Sequence, residues 1–266
     1  MRFSPNLTML FTEAPFVERF GLARANGFDA VEFQLPYAHE AHELERAISD
    51  AKLNVALFNL PAGDWANGDR GIAVDPSRRE EFRSGVAQAV EYAQALRCTQ
   101  LNCLAGKLPD GVNSEEAWQV LLENVRYAAS TLQSYGITLL VEPCNSYDIP
   151  GFFLNSIDAG MKLIEEAGSS NLRLQFDFYH AQRMQGELLN TFHRCSSVIS
   201  HVQIADNPGR HEPTTGEIHY ANVLQAVQRS GYSGYVGLEY IPSSTTTDSF
   251  GWIEQLEFQG LKEVQQ

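Results

Sequence analysis

Short apolar runs alternate with longer amphipathic stretches from one end of the chain to the other. The runs Phe3–Met9, Ala30–Phe33, Asn54–Phe58, Gln100–Cys103, Thr138–Glu142, Arg173–Asp177, Ser200–Ile204 and Tyr235–Glu239 are bounded by turn residues or a charge. That pattern predicts strands. The stretches Pro15–Asn26, Glu40–Ala51, Ser77–Leu96, Ser114–Tyr135, Ser156–Ala167, Glu187–Cys195 and Tyr220–Ser230, with Ser249–Phe258 closing the chain, predict helices. Several carry start and stop signals: Ser114 ahead of Glu116, Ser156 with Asp158, and Asn26-Gly27 and Ser230-Gly231 as stops. Eight strand–helix units in 266 residues give roughly 33 residues per unit, the size of a βα repeat. Strict alternation calls for a parallel sheet, and eight units suffice to close it. An open doubly wound sheet would place a G-x-G-x-x-G after its first strand, where "TEAPF" stands instead. The expected fold is a single (β/α)8 TIM barrel over 1–266, with its core at about 3–258. The least regular stretch, Leu60–Asp75, reads as a loop.

In such a barrel, chemistry sits where strands end and βα loops begin. The last four strands finish "LLVEPCN", "LQFDFYH", "HVQIADN" and "VGLEY", with terminal polar residues Glu142, Asp177, Gln203 and Glu239. Their separations of 35, 26 and 36 residues are each close to one βα unit. Four consecutive strands would therefore deliver oxygen donors to one rim. Crowded carboxylates raise one another's pKa unless something compensates, and a divalent cation does so. Oxygen-only donors favour Mg²⁺ or Mn²⁺ over Zn²⁺, which prefers His and Cys.

His180, three residues past Asp177, is expected to donate to a substrate oxygen or to orient the metal's ligands. His201 shares the inward parity of Gln203 one step deeper and reads as a core histidine. Arg210, on the long loop after strand 7, would fork onto a substrate carboxylate or onto a cage glutamate. The glycine-dotted loop after strand 3 carries Trp65 and Arg70 and is placed to cover the barrel mouth, while Lys107 follows strand 4 near the same rim. Arg70 and Lys107 join His180 and Arg210 as candidate substrate-binding groups. The near-zincin "HEAHE" (His39–Glu43) has its second histidine one residue early, and no Walker loop or G-x-S-x-G occurs.

Nineteen basic against thirty-three acidic residues give a net charge of −14. Such a surface repels phosphate backbones and anionic membranes, so nucleic-acid and membrane partners are not expected. It does not exclude a small anionic substrate, since local cations or a metal override the global field. Four cysteines, Cys98, Cys103, Cys144 and Cys195, lack disulfide-framework spacing and point to reduced thiols in a cytoplasmic protein. The first residues, "MRFSPNLTMLFTEAPF", form no secretory signal, and no apolar run is long enough to span a bilayer. The oligomeric state is left open.

The stretches "SPNLTMLFTEAPF", "GFDAVEFQLPY", "FNLPAGDWANGDRG", "NCLAG", "VEPCN", "QFDFYHAQ", "HVQIADNPGRHEPTTGEIHY" and "GYVGLEY" resemble the hydroxypyruvate isomerase family. That family belongs to the xylose-isomerase-like barrels, with the ketose 3-epimerases and the endonuclease IV group. The likeness runs from Phe3 to about Trp252. It implies a divalent metal on Glu142, Asp177, Gln203 and Glu239, with Glu142 and Glu239 also moving protons. It implies interconversion of hydroxypyruvate, a small anionic 2-oxo-acid, with tartronate semialdehyde. A related branch isomerises four-carbon 2-oxo-acids, and the two are not separated by one sequence. Gln203 stands where epimerase relatives carry histidine, which favours the isomerase branch. A zinc nuclease would need several histidine ligands and a basic groove, and the sequence carries neither. A non-catalytic sugar-acid sensor would bind metal without turnover.

Overall fold

The computed structural model describes residues 1–256. Eight strands, β1 (Arg2–Pro5), β2 (Ala30–Glu32), β3 (Asn54–Asn59), β4 (Gln100–Cys103), β5 (Thr138–Val141), β6 (Leu172–Asp177), β7 (Ile199–Ile204) and β8 (Tyr235–Leu238), form one sheet. Its order is β1-β8-β7-β6-β5-β4-β3-β2, and every adjacent pair is parallel. The seam between β1 and β2 is bridged just past β1. There Asn6 pairs with Glu32, and the Leu7 N–H donates to the Glu32 carbonyl at 2.7 Å. The sheet is thus a nearly closed barrel, as the alternation predicts.

Around it run α1 (Phe16–Ala25), α2 (Ala41–Ala51), α3 (Arg79–Leu96), α4 (Ser114–Gln133), α5 (Ile157–Ala167), α6 (Phe178–Met184), α7 (Leu188–Cys195), α8 (Tyr220–Arg229) and α9 (Gly251–Leu256). Predicted and observed boundaries differ by a few residues, mostly because strands give way to loops at their polar ends. The cap of α4 is Asn113, whose side chain accepts from the Glu116 N–H at 2.9 Å; Ser114 is already helical. The last residues of the predicted helix Ser249–Phe258 lie outside the described residues. The strands read as continuous apolar runs because parallel strands are covered on both faces. Leu101, Leu139, Val141, Leu174, Phe176, Val202 and Val236 are all buried. Among the described residues no helix is long and apolar enough to cross a membrane.

The sequence reading did not anticipate α6. Its N-cap is Asp177, whose Oδ1 accepts from the Tyr179 N–H at 2.8 Å, so one residue ends a strand and starts a helix. The loop after β3 is anchored at its base. Gly71 has φ of 107°, and a Cβ there would stand 2.2 Å from the Leu104 carbonyl oxygen, so only glycine permits this approach to the end of β4. Ile72, Ala73 and Val74 then enter the core.

Candidate functional site

The ends of β5, β6 and β8 place Glu142, Asp177 and Glu239 together, all buried. One atom from each, with His180 Nε2 or Nδ1, falls in a group whose members all lie within 4.8 Å of one another. Barrel geometry explains how strand ends at different registers meet. Asp177 pairs with Gln203, and Gln203 with Gly237. A shear of eight over eight strands shifts height by about one residue per strand. Glu239, two residues beyond Gly237, therefore comes level with Asp177 two strands away.

Each carboxylate is held differently. Glu239 is gripped by three donors: Asn6 at 3.1 Å and Gln34 at 3.0 Å on Oε1, and Arg210 at 2.5 Å on Oε2. Glu142 accepts from Asn102 at 3.0 Å on Oε2. Asp177 uses Oδ1 for the helix cap. The remaining oxygens, Glu142 Oε1 and Asp177 Oδ2, are buried and have no hydrogen-bond partner among the described residues. Unpaired buried carboxylate oxygens are costly, and two that converge with a third carboxylate suit a bound cation. On this observation the donor set fits a divalent metal.

The charges show the same crowding. Burial pushes the Glu142 carboxyl well above the carboxylate range, and Glu239 and Asp177 push it further. Burial lifts Asp177 to about 7, with Arg210 opposing and Glu239 adding to the rise. Burial also raises Glu239, but Arg210 and the Gln34 hydrogen bond counter it. Arg210 stays charged: burial works against its guanidinium, and Glu239, Asp177 and Glu142 outweigh it. The two glutamates are thus unequally supplied with donors, the arrangement that separates an acid from a base.

His180 sits in the first turn of α6. Its Nδ1 accepts from the Asn145 N–H at 3.2 Å and faces the Asn145 side-chain amide at 2.6 Å. The Asn145 Oδ1 is taken by the Tyr147 and Asp148 N–H groups, so the amide turns its NH₂ to the ring. Burial, then Arg210 and Arg183, hold the imidazole pKa well below its usual value, so the ring is neutral. With Nδ1 accepting, the ring proton sits on Nε2, which lies 3.6 Å from Asp177 Oδ2 and 3.8 Å from Glu142 Oε1. A protonated nitrogen donates and does not ligate. His180 therefore presents a hydrogen-bond donor towards Asp177 and Glu142.

Gln203 lies beside Asp177 in register and is buried. Its Nε2 donates to Glu32 at 2.7 Å and its Oε1 accepts from Gln175 at 2.6 Å. A carbonyl oxygen has two lone pairs, and Gln175 occupies one of them. His201 is a core histidine, as read from its parity, with Nε2 2.8 Å from Glu32.

Of the candidate cations, Arg210 reaches the cage and takes the second of its two predicted roles, holding Glu239. It also stands 3.9 Å from Asp177 Oδ2. Arg70 stacks at 4.0 Å on the Trp65 ring and donates to the Trp65 and Asp69 carbonyls. The Lys107 Nζ donates to the Gly68 carbonyl at 2.9 Å. The two share a surface cleft with Asp69, Asp75 and Arg78, and neither bonds to a cage residue. One oxygen of Glu142 and one of Glu239 lie within 4.8 Å of each other. The sequence reading missed Asn6, Glu32, Gln34, Asn102, Asn145 and Gln175. For Glu32 a signal was present, because "AVEF" ends β2 with a carboxylate just as the later strands end.

The strand ends of a parallel barrel thus gather three buried carboxylates, a neutral imidazole and a guanidinium in one group that could hold a metal ion. The chain belongs to the xylose isomerase-like TIM barrel family, whose description matches residues 20–259. It is 50% identical over 254 residues to hydroxypyruvate isomerase of Escherichia coli (strain K12), covering 96% of this chain and 98% of that one. It is 40% identical over 253 residues to 2-oxo-tetronate isomerase of Cupriavidus necator, covering 95% and 97%. The crystal structure of a family 2 AP endonuclease from Brucella melitensis superposes with a TM-score of 0.93 at 40% identity, covering 96% and 98%. The likeness to hydroxypyruvate isomerases read from the sequence is borne out.

Proposed function

We propose that this isomerase interconverts hydroxypyruvate and tartronate semialdehyde (2-hydroxy-3-oxopropanoate) by moving a proton between adjacent carbons through an enediolate. The observation that carries the proposal is the pair of buried oxygens partnerless among the described residues, Glu142 Oε1 and Asp177 Oδ2, facing Glu239 and His180. Glu142, Asp177, Gln203 and Glu239 would hold one Mg²⁺ or Mn²⁺, whose charge polarises the substrate oxygens and lowers the acidity barrier at carbon. The protein's own groups do the rest. Glu239, kept towards its ionised form by Arg210, removes the proton from one carbon. Glu142, its proton affinity raised by burial, returns a proton to its neighbour. His180 Nε2–H donates to the oxygen on which charge develops. Arg70 or Lys107 would meet the substrate carboxylate, since Arg210 is engaged, with the Leu60–Gly71 loop closing over it. The partner is a small anionic 2-oxo-acid, and the expected compartment is the cytoplasm.

The C. necator relative favours a second reading, isomerisation of a four-carbon 2-oxo-acid. Purified protein with Mn²⁺ or Mg²⁺, assayed on hydroxypyruvate and on the four-carbon homologue, tests both. A kcat/KM higher for hydroxypyruvate supports the first reading and the reverse supports the second. Turnover of neither substrate overturns the proposal.

A further inference from the structure

Beside the cage lies another buried carboxylate, Glu32, that none of the chemistry above uses. Glu32, at the end of β2, is fully buried. Four donors converge on it: Ser4 Oγ at 2.9 Å and His201 Nε2 at 2.8 Å on Oε2, and Asn6 Nδ2 at 3.2 Å and Gln203 Nε2 at 2.7 Å on Oε1. Two donors on each oxygen fill the acceptor capacity of a carboxylate. The surrounding strands leave it room. Gly237 on β8 is the register partner of both Ser4 and Gln203, and a Cβ there would stand 2.4 Å from Glu32 Oε2.

Two of these four donors also belong to the cage site. The Asn6 amide bridges Glu32 Oε1 and Glu239 Oε1. Gln203 has a more delicate problem. Its side-chain amide is nearly symmetric in shape, yet only its oxygen can bind a cation. An ionised carboxylate accepts and cannot donate, so Glu32 admits only the NH₂ of Gln203. The amide oxygen is thereby turned away from Glu32, to where Gln175 donates to it at 2.6 Å.

We infer that Glu32 is a positioning residue that fixes the side-chain amide of Gln203 in its metal-binding orientation and, through Asn6, steadies Glu239. This rests on the reading that the cage binds a divalent cation. Glu32 bonds to Ser4, Asn6, His201 and Gln203, and it acts on the cage through Gln203 and through Asn6, which also bonds Glu239.

The test is titration of EDTA-stripped protein with Mn²⁺, following binding heat and free Mn²⁺ signal, with the melting of the metal-free protein measured in parallel. In Glu32→Gln the new amide can offer Gln203 either of its ends, so the amide of Gln203 is no longer fixed. Loss of such an outer partner lowers metal affinity by about 10–100-fold. The apparent KM for Mn²⁺ should rise by the same factor, while kcat at saturating Mn²⁺ should be largely retained. Gln203→Glu alone sets two carboxylates face to face and should also weaken Mn²⁺ binding. The double variant Glu32→Gln with Gln203→Glu restores a donor–acceptor pair and should recover the affinity lost in either single variant. That reciprocal rescue is not expected of a residue that merely supports the fold. Wild-type binding with unchanged affinity in Glu32→Gln overturns the inference alone. So does a loss that the double variant fails to rescue. Absence of Mn²⁺ binding in the wild type overturns the metal reading and the inference with it.

Discussion

Replacing Arg210 with methionine probes the electrostatics of the cage most sharply. Methionine keeps the length and packing of the side chain and removes its charge. Arg210 stands 2.5 Å from Glu239 Oε2 and 3.9 Å from Asp177 Oδ2, with only 17% of its side chain exposed. At an effective dielectric of about 20, unit charges about 3 Å apart attract by about 5 kcal/mol. Breaking a buried pair by removing one partner costs about 3–5 kcal/mol. A cation bound in the cage would supply part of the missing positive charge. Halving the cost on that account leaves about 2 kcal/mol, or about 1.5 pKa units for Glu239 at 1.36 kcal/mol per unit. In Arg210→Met the ascending limb of kcat/KM against pH, at saturating Mn²⁺, should therefore move to higher pH by about 1.5 units. At a pH below both limbs, activity should fall about thirty-fold and be largely recovered by raising the pH. Arg210→Lys, which keeps the charge, should leave the limb nearly in place. An unmoved limb in Arg210→Met with a large uniform loss would refute the reasoning, because Arg210 would then be acting on the substrate.

Further outcomes follow from the same geometry. Burial lifts Asp177 to about 7 and Glu142 well above the carboxylate range; a metal entering the cage would therefore displace protons, and Mn²⁺ affinity should fall as pH drops from about 8 to 6. Calorimetry in buffers of different ionisation heat should show net proton release. The sign for stability is the opposite of that for a salt-bridged aspartate: with the folded pKa raised, the metal-free protein is most favoured at low pH. That contribution is lost as pH rises through about 7, so stabilisation by added Mn²⁺ should grow over the same range. Glu142→Gln and Glu239→Gln should each lower kcat by about 10²–10⁴ while retaining part of the metal. Arg70→Ala or Lys107→Ala should lower kcat/KM for 2-oxo-acids and leave neutral sugars nearly unaffected. If neither variant discriminates between the two substrate types, the carboxylate pocket lies elsewhere.

The barrel was legible because its signals are local and repeated. Each strand is an apolar run ending in a polar residue, and eight such beats leave little freedom of topology. Glu142, Asp177 and Glu239 could be found for the same reason, since a barrel converts strand-end position into proximity. What sequence spacing does not carry is the hydrogen-bonding of each side chain. Arg210 had two plausible partners, and only the folded loop after β7 decides for Glu239. The helix α6 escaped because Asp177 serves as strand end and cap at once, a double role that periodicity cannot express. Glu32 and Asn6 come from the first quarter of the chain, while Gln203 and Glu239 come from the last. Their meeting depends on closure of the barrel between β1, β2 and β8, which no local pattern encodes. For Arg70 and Lys107 the sequence offered positions on loops after β3 and β4, but not the carbonyls of Trp65, Asp69 and Gly68 that hold them.

The central claim is that Glu142 and Glu239 carry a proton between adjacent carbons of a 2-oxo-acid. Its most direct test is turnover of hydroxypyruvate in D₂O by Mn²⁺-reconstituted protein, with the product converted to a stable derivative and its deuterium located by NMR after metal removal. The slow variant Glu142→Gln and buffer alone serve as controls for spontaneous enolisation. The account predicts deuterium at the carbon that receives the proton, at a rate tracking turnover and far above both controls. Product formed over many turnovers with no deuterium at that carbon would contradict it and point to a hydride shift.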